Sequence, residues 1–307
     1  MELVRLLSAG AADDCVVTIG SFDGIHLGHQ ALIARLRAHG QRLGLPTMMV
    51  SFEPLPREFL QRSDPPARLT NFRERWRLLT AMGIERLCLL RFDQRLRSLS
   101  GSEFLALLAG ARARVVVVGH DFRFGRGGEA SAEWCAQQAD QFGFQVDIVP
   151  PVQIGAVRVA SGIVREALRS GDLLAAERLL GRPYSMRGRV RRGNQLGHEL
   201  GFPTANIALK RRCVPLQGVF AVRVGGAVSG CAVPGVANLG TRPMVGGTQM
   251  LLEAHLFDFD ADLYGRELEV QFVARLRDEL RFESMDAMVA QMQRDADEAR
   301  RILNAER

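Results

Sequence analysis

Apolar positions in the first half of this 307-residue chain follow two alternating rhythms. Short β-branched runs at residues 16–19, 47–52, 86–92, 115–119 and 144–149 read as buried strands. Between them, apolar residues recur at helical spacing. The pattern predicts a helix from about residue 31, a second over 71–82 with Asn71 as its N-cap, and a third over 102–109 with Ser102 or Gly101 at its start. A fourth is expected over 129–142, closed by Gly143. Alternating strands and helices predict a parallel sheet with helices on both faces.

The pattern changes after Pro150. Residues 161–169 and 173–180 read as two short helices, with Asp172 capping the second. Gly181-Arg182-Pro183 then breaks the helical rhythm. From 184 to about 277 the strands are short and punctuated by glycine, as at 218–224 and 251–257, which predicts a small antiparallel β-barrel. Met285, Met288, Met292, Ala296, Ala299 and Ile302 fall on one helical face, so 284–303 is expected as an amphipathic helix packed on that barrel. The fold class expected is therefore α/β. An N-terminal domain, 1–183, precedes a C-terminal barrel domain with a terminal helix, 184–307.

The most informative local feature is Gly20-Ser21-Phe22-Asp23-Gly24-Ile25-His26-Leu27-Gly28-His29. It follows a strand and leads into a helix. Glycines let a backbone approach an anion, and the unsatisfied N–H groups of a helix N-terminus point at it. Two imidazoles three residues apart can add donors on the same side. This is a polyphosphate site that needs no P-loop. Lys210 is the sole lysine and lies in no GxxxxGK[ST] pattern.

Composition narrows the context. The five cysteines, Cys15, Cys88, Cys135, Cys213 and Cys231, are scattered and form no CxxC pair. That argues against a disulfide framework or zinc site and for a reducing cytoplasm. No apolar run reaches the ~20 residues a membrane span needs, and the N-terminus does not read as a secretory leader. The formal net charge of +6 suits attraction of anionic small substrates. No basic run is interleaved with aromatics, so neither a nucleic-acid nor a membrane partner is expected.

The ten-residue motif, GxFDGxHxGH, resembles the nucleotidyltransferases with an HxGH element. Within them it resembles the N-terminal module of the bacterial bifunctional riboflavin kinase/FAD synthetases. Ser51-Phe52-Glu53-Pro54-Leu55-Pro56-Arg57-Glu58, Arg68-Leu69-Thr70 with Arg73-Glu74-Arg75, and Val118-Gly119-His120-Asp121-Phe122-Arg123-Phe124-Gly125 resemble later blocks of that module, in order. The resemblance implies a Rossmann-like fold that joins ATP to FMN, giving FAD and pyrophosphate. The FMN phosphate is already anionic, so the task is to bring two polyanions together and stabilise the leaving pyrophosphate. His26 and His29 are the expected catalytic donors. Gly20, Phe22, Asp23, Gly24, Gly28, Asp121, Arg158, Ser161 and Arg165 are the expected nucleotide- and flavin-binding positions. The chain departs from the family in one run. Relatives usually carry R-I/V-S-S-T-x-V/I-R, whereas Arg158-Val159-Ala160-Ser161-Gly162-Ile163-Val164-Arg165 lacks two of the hydroxyls.

The C-terminal half resembles the riboflavin kinase module of the same family. The matching stretches are Gly188-Arg189-Val190, Gly193, Leu196-Gly197, Gly201-Phe202-Pro203-Thr204-Ala205-Asn206, Gly235 through Pro243, Leu252 through Phe259, and Asp262-Leu263-Tyr264-Gly265. The resemblance assigns Thr204 and Asn206 to Mg²⁺, which favours hard oxygen ligands. It assigns Glu253 the role of general base for the riboflavin hydroxyl. Gly188, Gly201, Pro203 and Asn238 are expected to bind substrate. His198 stands where many relatives have arginine. His255 is expected to be structural, and His39 and His120 to make local hydrogen bonds. Arg277, Asp278 and Arg281 fall in the family's closing loop and receive no role. ATP is the expected co-substrate, riboflavin and FMN the small-molecule partners, and FMN and FAD the products. Two alternatives stay open: a riboflavin kinase with weakened adenylyl transfer, and a non-catalytic flavin-binding regulator.

Overall fold

The computed structural model describes residues 1–4, 13–193, 201–244 and 247–305, without the side chains of 241–249. Packing divides the chain into two compact units. One comprises Met1–Pro66 and Arg75–Ala160, the other Ala67–Glu74 and Ser161–Arg307.

The first unit is built on six parallel strands: β1 (Glu2–Val4), β2 (Cys15–Ile19), β3 (Thr47–Glu53), β4 (Arg86–Arg91), β5 (Ala113–Gly119) and β8 (Gln145–Val149). They lie in the order β1-β4-β3-β2-β5-β8. Every residue of β2 is buried, as a parallel strand covered on both faces must be. The helices are α1 (Leu27–Leu43), α2 (Pro56–Leu60), α3 (Phe72–Ala81), α4 (Gln94–Ser98), α5 (Gly101–Gly110) and α6 (Ala132–Gln138). Two short hairpins complete the unit: β6 (Arg123–Phe124) with β7 (Ala130–Ser131), and β9 (Gln153–Ile154) with β10 (Val157–Arg158).

Two helix starts differ from expectation because side chains cap them. Helix α1 begins at Leu27, not near 31, because His26 is its N-cap and accepts the N–H of His29. Helix α5 starts at Gly101, one of the two expected starts, and is capped by Ser100 in a reciprocal box with Glu103. Helix α6 starts at Ala132 because Ala130–Ser131 pairs as a strand and the Ser131 side chain caps the helix by accepting the N–H of Trp134. Asn71 caps α3 as expected, exchanging hydrogen bonds with Glu74 at 2.7 and 3.0 Å.

The strand order turns this sheet into a binding scaffold. From β2 the chain builds outward to β3 and β4, then returns to the other side of β2 for β5 and β8. The reversal lies between β2 and β5. Crevices at the carboxyl ends of such strands are where open α/β sheets hold ligands. The loop from Gly20 to His26 leaves β2 at that point.

The second unit is a closed antiparallel barrel. Its strands are β11 (Ser185–Arg191), β12 (Ala205–Ala208), β13 (Gly218–Val228), β14 (Cys231–Met244), β15 (Gly247–Leu256) and β16 (Glu267–Arg277). Their order around the barrel is β11-β12-β15-β14-β13-β16. Helices α7 (Ser161–Ser170) and α8 (Leu173–Leu180) precede it, and α9 (Met285–Ala305) closes the chain. Ala296, Ala299 and Leu303 of α9 pack with Ala221, Phe202 and Phe257, and Met292 joins them. The methionine stripe is thus barrel packing from Val289 onward, whereas Met285 is exposed. Arg277, at the end of β16, holds buried Asp295 of α9 with two nitrogens at 2.9 and 2.7 Å.

Also in the second unit, Arg211 is fully buried and pairs with Glu74. It donates to Leu69 O at 2.7 Å and Tyr184 Oη at 2.9 Å. Glu74 in turn accepts the backbone N–H of Arg187 at 2.7 Å. Buried charges need this degree of pairing to be tolerated. The segment Ala67–Glu74 is therefore an integral part of the barrel unit.

Candidate active sites

In the first unit, the loop after β2 is held in an unusual backbone state. Phe22 and Ile25 have φ of +48° and +44°, and Gly24 of +87°. A non-glycine residue in the left-handed region is strained, and strain persists where packing over-determines it. Here both side chains are fully buried. The Phe22 ring lies 5.1 Å from that of His29. Gly20 is needed because any side chain there would press on the Phe22 ring at 3.2 Å. Asp23 is buried in the same loop.

His26 and His29 stack with ring centroids 3.6 Å apart and planes 19° from parallel. His26 Nδ1 accepts the His29 backbone N–H at 3.3 Å, which leaves its Nε2 to carry the proton. His29 Nδ1 is buried and has no hydrogen-bond partner among the described residues. Burial, then the neighbouring His26 and the Arg75 guanidinium, holds His29 well below the ordinary histidine value of 6.5. Gly28 gives the pair room: a side chain there would meet the His26 ring at 3.1 Å and Val159 O at 3.5 Å. That contact also brings the segment ending at Ala160 against the start of α1.

Arg75 and Ser51 belong to this site as well, although the sequence pointed to no role for either. Arg75 is 1% exposed, donates to Ser21 O at 2.9 Å, and lies 3.6 Å from Glu53. Ser51 Oγ donates to the same carbonyl at 3.3 Å, so two donors pin the loop. The signal in the sequence was an arginine four residues before Leu79, on the buried face of α3. Asp121, just beyond β5, pairs with Arg158, and both are exposed to solvent. Ser161 and Arg165 fall in the second unit, on α7, where Arg165 donates to Ala67 O at 2.6 Å. The buried thiols are unreactive: burial pushes Cys88 up to about 12, and Cys15 and Cys135 up to about 11.

In the second unit, strand register builds a row of polar side chains. Asn206 on β12 faces Glu253 on β15, and Glu253 faces Asn238 on β14. Directly opposed residues of antiparallel strands point to the same face, with Cβ atoms roughly 4.5–5.5 Å apart. The alternating residues Ile207, Leu252, Ala254, Ala237 and Leu239 are buried, so the polar row lies on the other face of the barrel wall. Arg191 opposes Asn206 at one end, and Val219 opposes Asn238 at the other. Asn238 Oδ1 is buried without a hydrogen-bond partner among the described residues, a cost of about 1–3 kcal/mol unless something donates to it.

The turn before Asn206 is clamped. The His255 ring N–H donates to Pro203 O at 2.9 Å, and Phe202 packs edge-on against the same ring at 5.3 Å. His255 is thus structural. Gly201 has φ +78°, and Thr204 stands two residues from Asn206. Gly193 must lack a side chain, since a Cβ would lie 2.4 Å from the Asn206 amide, and one at Gly188 would lie 2.5 Å from Ala208 O. Leu196, Gly197 and His198 lie outside the described residues. Glu253, Asn206 and Asn238 are brought together by strand pairing, with β12 joining the consecutive strands β14 and β15.

Comparison with known proteins finds two families, one after the other along the chain. The family description FAD synthetase matches residues 9–163, and Riboflavin kinase matches residues 180–303. A bifunctional riboflavin kinase/FMN adenylyltransferase of Escherichia coli K12 is 42% identical, over 96% of each chain. One from Pseudomonas fluorescens is 45% identical, over 98% of each. A solved structure named as a macrolide-efflux protein of Streptococcus pneumoniae superposes with TM-score 0.82 at 31% identity, over 98% of this chain and 99% of that one. Efflux is not carried over from that name; no helix among the described residues is long and apolar enough to cross a membrane.

Proposed function

The chain belongs to the bifunctional riboflavin kinase/FMN adenylyltransferase family, and from that premise we propose how its two sites make FMN and then FAD. Residues 184–307 carry the kinase, and residues 1–183 carry adenylyl transfer. The observation that carries the reading is the cross-strand row that sets Glu253 between Asn206 and Asn238.

In the kinase, Glu253 takes the proton of the riboflavin 5′-hydroxyl as its oxygen attacks the γ-phosphorus of ATP, and ADP leaves. Among the described residues no group of three or more His, Cys, Asp or Glu could hold a metal. The oxygen ligands at hand are the Thr204 hydroxyl and the Asn206 amide. Such a neutral set fits Mg²⁺, which keeps most of its ligands as water and phosphate oxygens. Thr204 and Asn206 would hold it, and bound there it would neutralise charge on the transferring phosphates.

In adenylyl transfer, the FMN phosphate attacks the α-phosphorus of a second ATP and pyrophosphate leaves. His26, His29 and the N-terminus of α1 supply donors where negative charge gathers. Gly20, Phe22, Asp23, Gly24 and Gly28 shape the loop, while Arg158, held by Asp121, serves the nucleotide and flavin phosphates. Gly188, Gly201 and Pro203 shape the kinase turns. All five cysteines are free thiols, which supports a cytoplasmic enzyme acting on small molecules.

A time course with riboflavin, ATP and Mg²⁺, repeated from FMN, tests the proposal. Riboflavin passing to FMN and then FAD supports both sites. FMN accumulating, with no FAD from either start, supports the second reading, a kinase with weakened adenylyl transfer. Ala160 and Gly162 favour that reading. A Cβ at Gly162 would meet nothing within 4 Å, so Ala160→Ser with Gly162→Thr should raise FAD synthesis if the lost hydroxyls matter.

A further inference from the structure

The amide oxygen of Asn238 is buried and unpartnered among the described residues, while the residue stands directly across from Glu253. On the kinase reading, Thr204 and Asn206 take the metal and phosphates, and Asn206 opposes Glu253 from β12. Asn238 opposes Glu253 from β14, on the opposite side. The base therefore separates a phosphate side from an acceptor side, and Asn238 belongs to the latter. Beyond it, Val219 opposes Asn238 and is 6% exposed, so the neighbour on that side brings no side-chain donor. An amide oxygen there can only accept, and it needs an O–H or N–H donor brought by the ligand.

We propose that Asn238 is a specificity-determining residue of the kinase: its Oδ1 accepts the hydroxyl next to the one that is phosphorylated. The substrate class selected is an alcohol that ends in a vicinal diol. Glu253 takes the proton of the terminal hydroxyl as the new O–P bond forms and the bond to ADP breaks. The neighbouring hydroxyl keeps its proton and donates it to Asn238, which aims the terminal oxygen. An amide suits this place because it cannot titrate. A carboxylate beside Glu253 would compete for the proton and raise the base's pKa.

The test uses the full chain with riboflavin and with 4′-deoxyriboflavin, which lacks the hydroxyl in question. The wild type should prefer riboflavin by on the order of 100-fold in kcat/KM, because the analogue leaves a buried acceptor unpaired. Asn238→Leu and Asn238→Ser, each checked by thermal unfolding, should lose most of the preference, chiefly through a lower kcat/KM for riboflavin. Equal losses on both substrates, with the ratio preserved, would mean a merely structural role and overturn the inference. A wild type that phosphorylates both equally overturns it alone. A wild type that phosphorylates neither overturns the kinase reading as well.

Discussion

The imidazoles of His26 and His29 lie face to face 3.6 Å apart, and the Nδ1 of the first accepts the backbone N–H of the second. At that separation both rings cannot be charged without strong repulsion. His29 responds by staying neutral, its proton affinity lowered by burial, then by His26 and Arg75.

Acidification should therefore destabilise the fold through His29. The unfolded chain binds a proton at His29 near the ordinary value of 6.5, and the folded chain only at lower pH. Stability is complete above about 6.5 and falls as pH drops through the window below it. His29→Gln should flatten that part of the Tm-against-pH curve. A bound polyphosphate should raise the His29 proton affinity, so calorimetry in buffers of different ionisation heat should show proton uptake when ATP binds. The same slope in wild type and variant would exclude His29 as the titrating group.

Glu253→Gln removes the proposed base while keeping size and strand pairing. FMN formation should fall by about 10²–10⁴-fold. FAD formation from supplied FMN should persist, since that step uses the other unit. An unchanged kinase rate would remove Glu253 from the chemistry.

Asp121 and Arg158 form an ion pair with each other. An exposed pair of this kind contributes at most about 1 kcal/mol, or roughly fivefold in binding. Asp121→Asn should therefore lower KM for ATP in FAD synthesis by up to about fivefold, by releasing Arg158. The same change in an Arg158→Ala background should give no gain. A raised KM in both backgrounds would mean that Asp121 meets the substrate itself.

The Arg211–Glu74 pair is buried on both sides, with side-chain exposures of 0% and 6%. Arg211→Met leaves the carboxylate short of its cation and should cost about 3–5 kcal/mol. Urea unfolding should show the loss. Adding Glu74→Gln should recover part of it, because the stranded charge is then gone. A fragment beginning at residue 161 should likewise be less stable, as it lacks Ala67–Glu74. Equal stability of that fragment's barrel would show the network to be dispensable.

Local order was legible before any coordinates. The β-branched runs at 16–19 and 115–119 had to be strands, and Gly20 to His29 had to be a turn entering a helix. The helix at the C-terminus followed from its stripe of apolar residues. Glycine, capping residues and periodicity act within a few residues of chain, so a sequence displays them directly. Even so, caps moved two helix starts, because His26 and Ser131 supply acceptors whose use depends on the turn before them.

Other features were decided only when distant segments met. No local rule puts Asn206, Glu253 and Asn238 in one row; barrel register does, by pairing β15 with both β14 and the distant β12. Packing buries Arg75 against Ser21 and Arg211 against Glu74. Asp121 and Arg158 became a pair because the chain returns past the end of β5. Propensity and periodicity chose the elements, since those forces are local. Register, burial of charge and the company each side chain keeps depend on contacts between residues tens to more than a hundred positions apart, and only the folded chain supplies those.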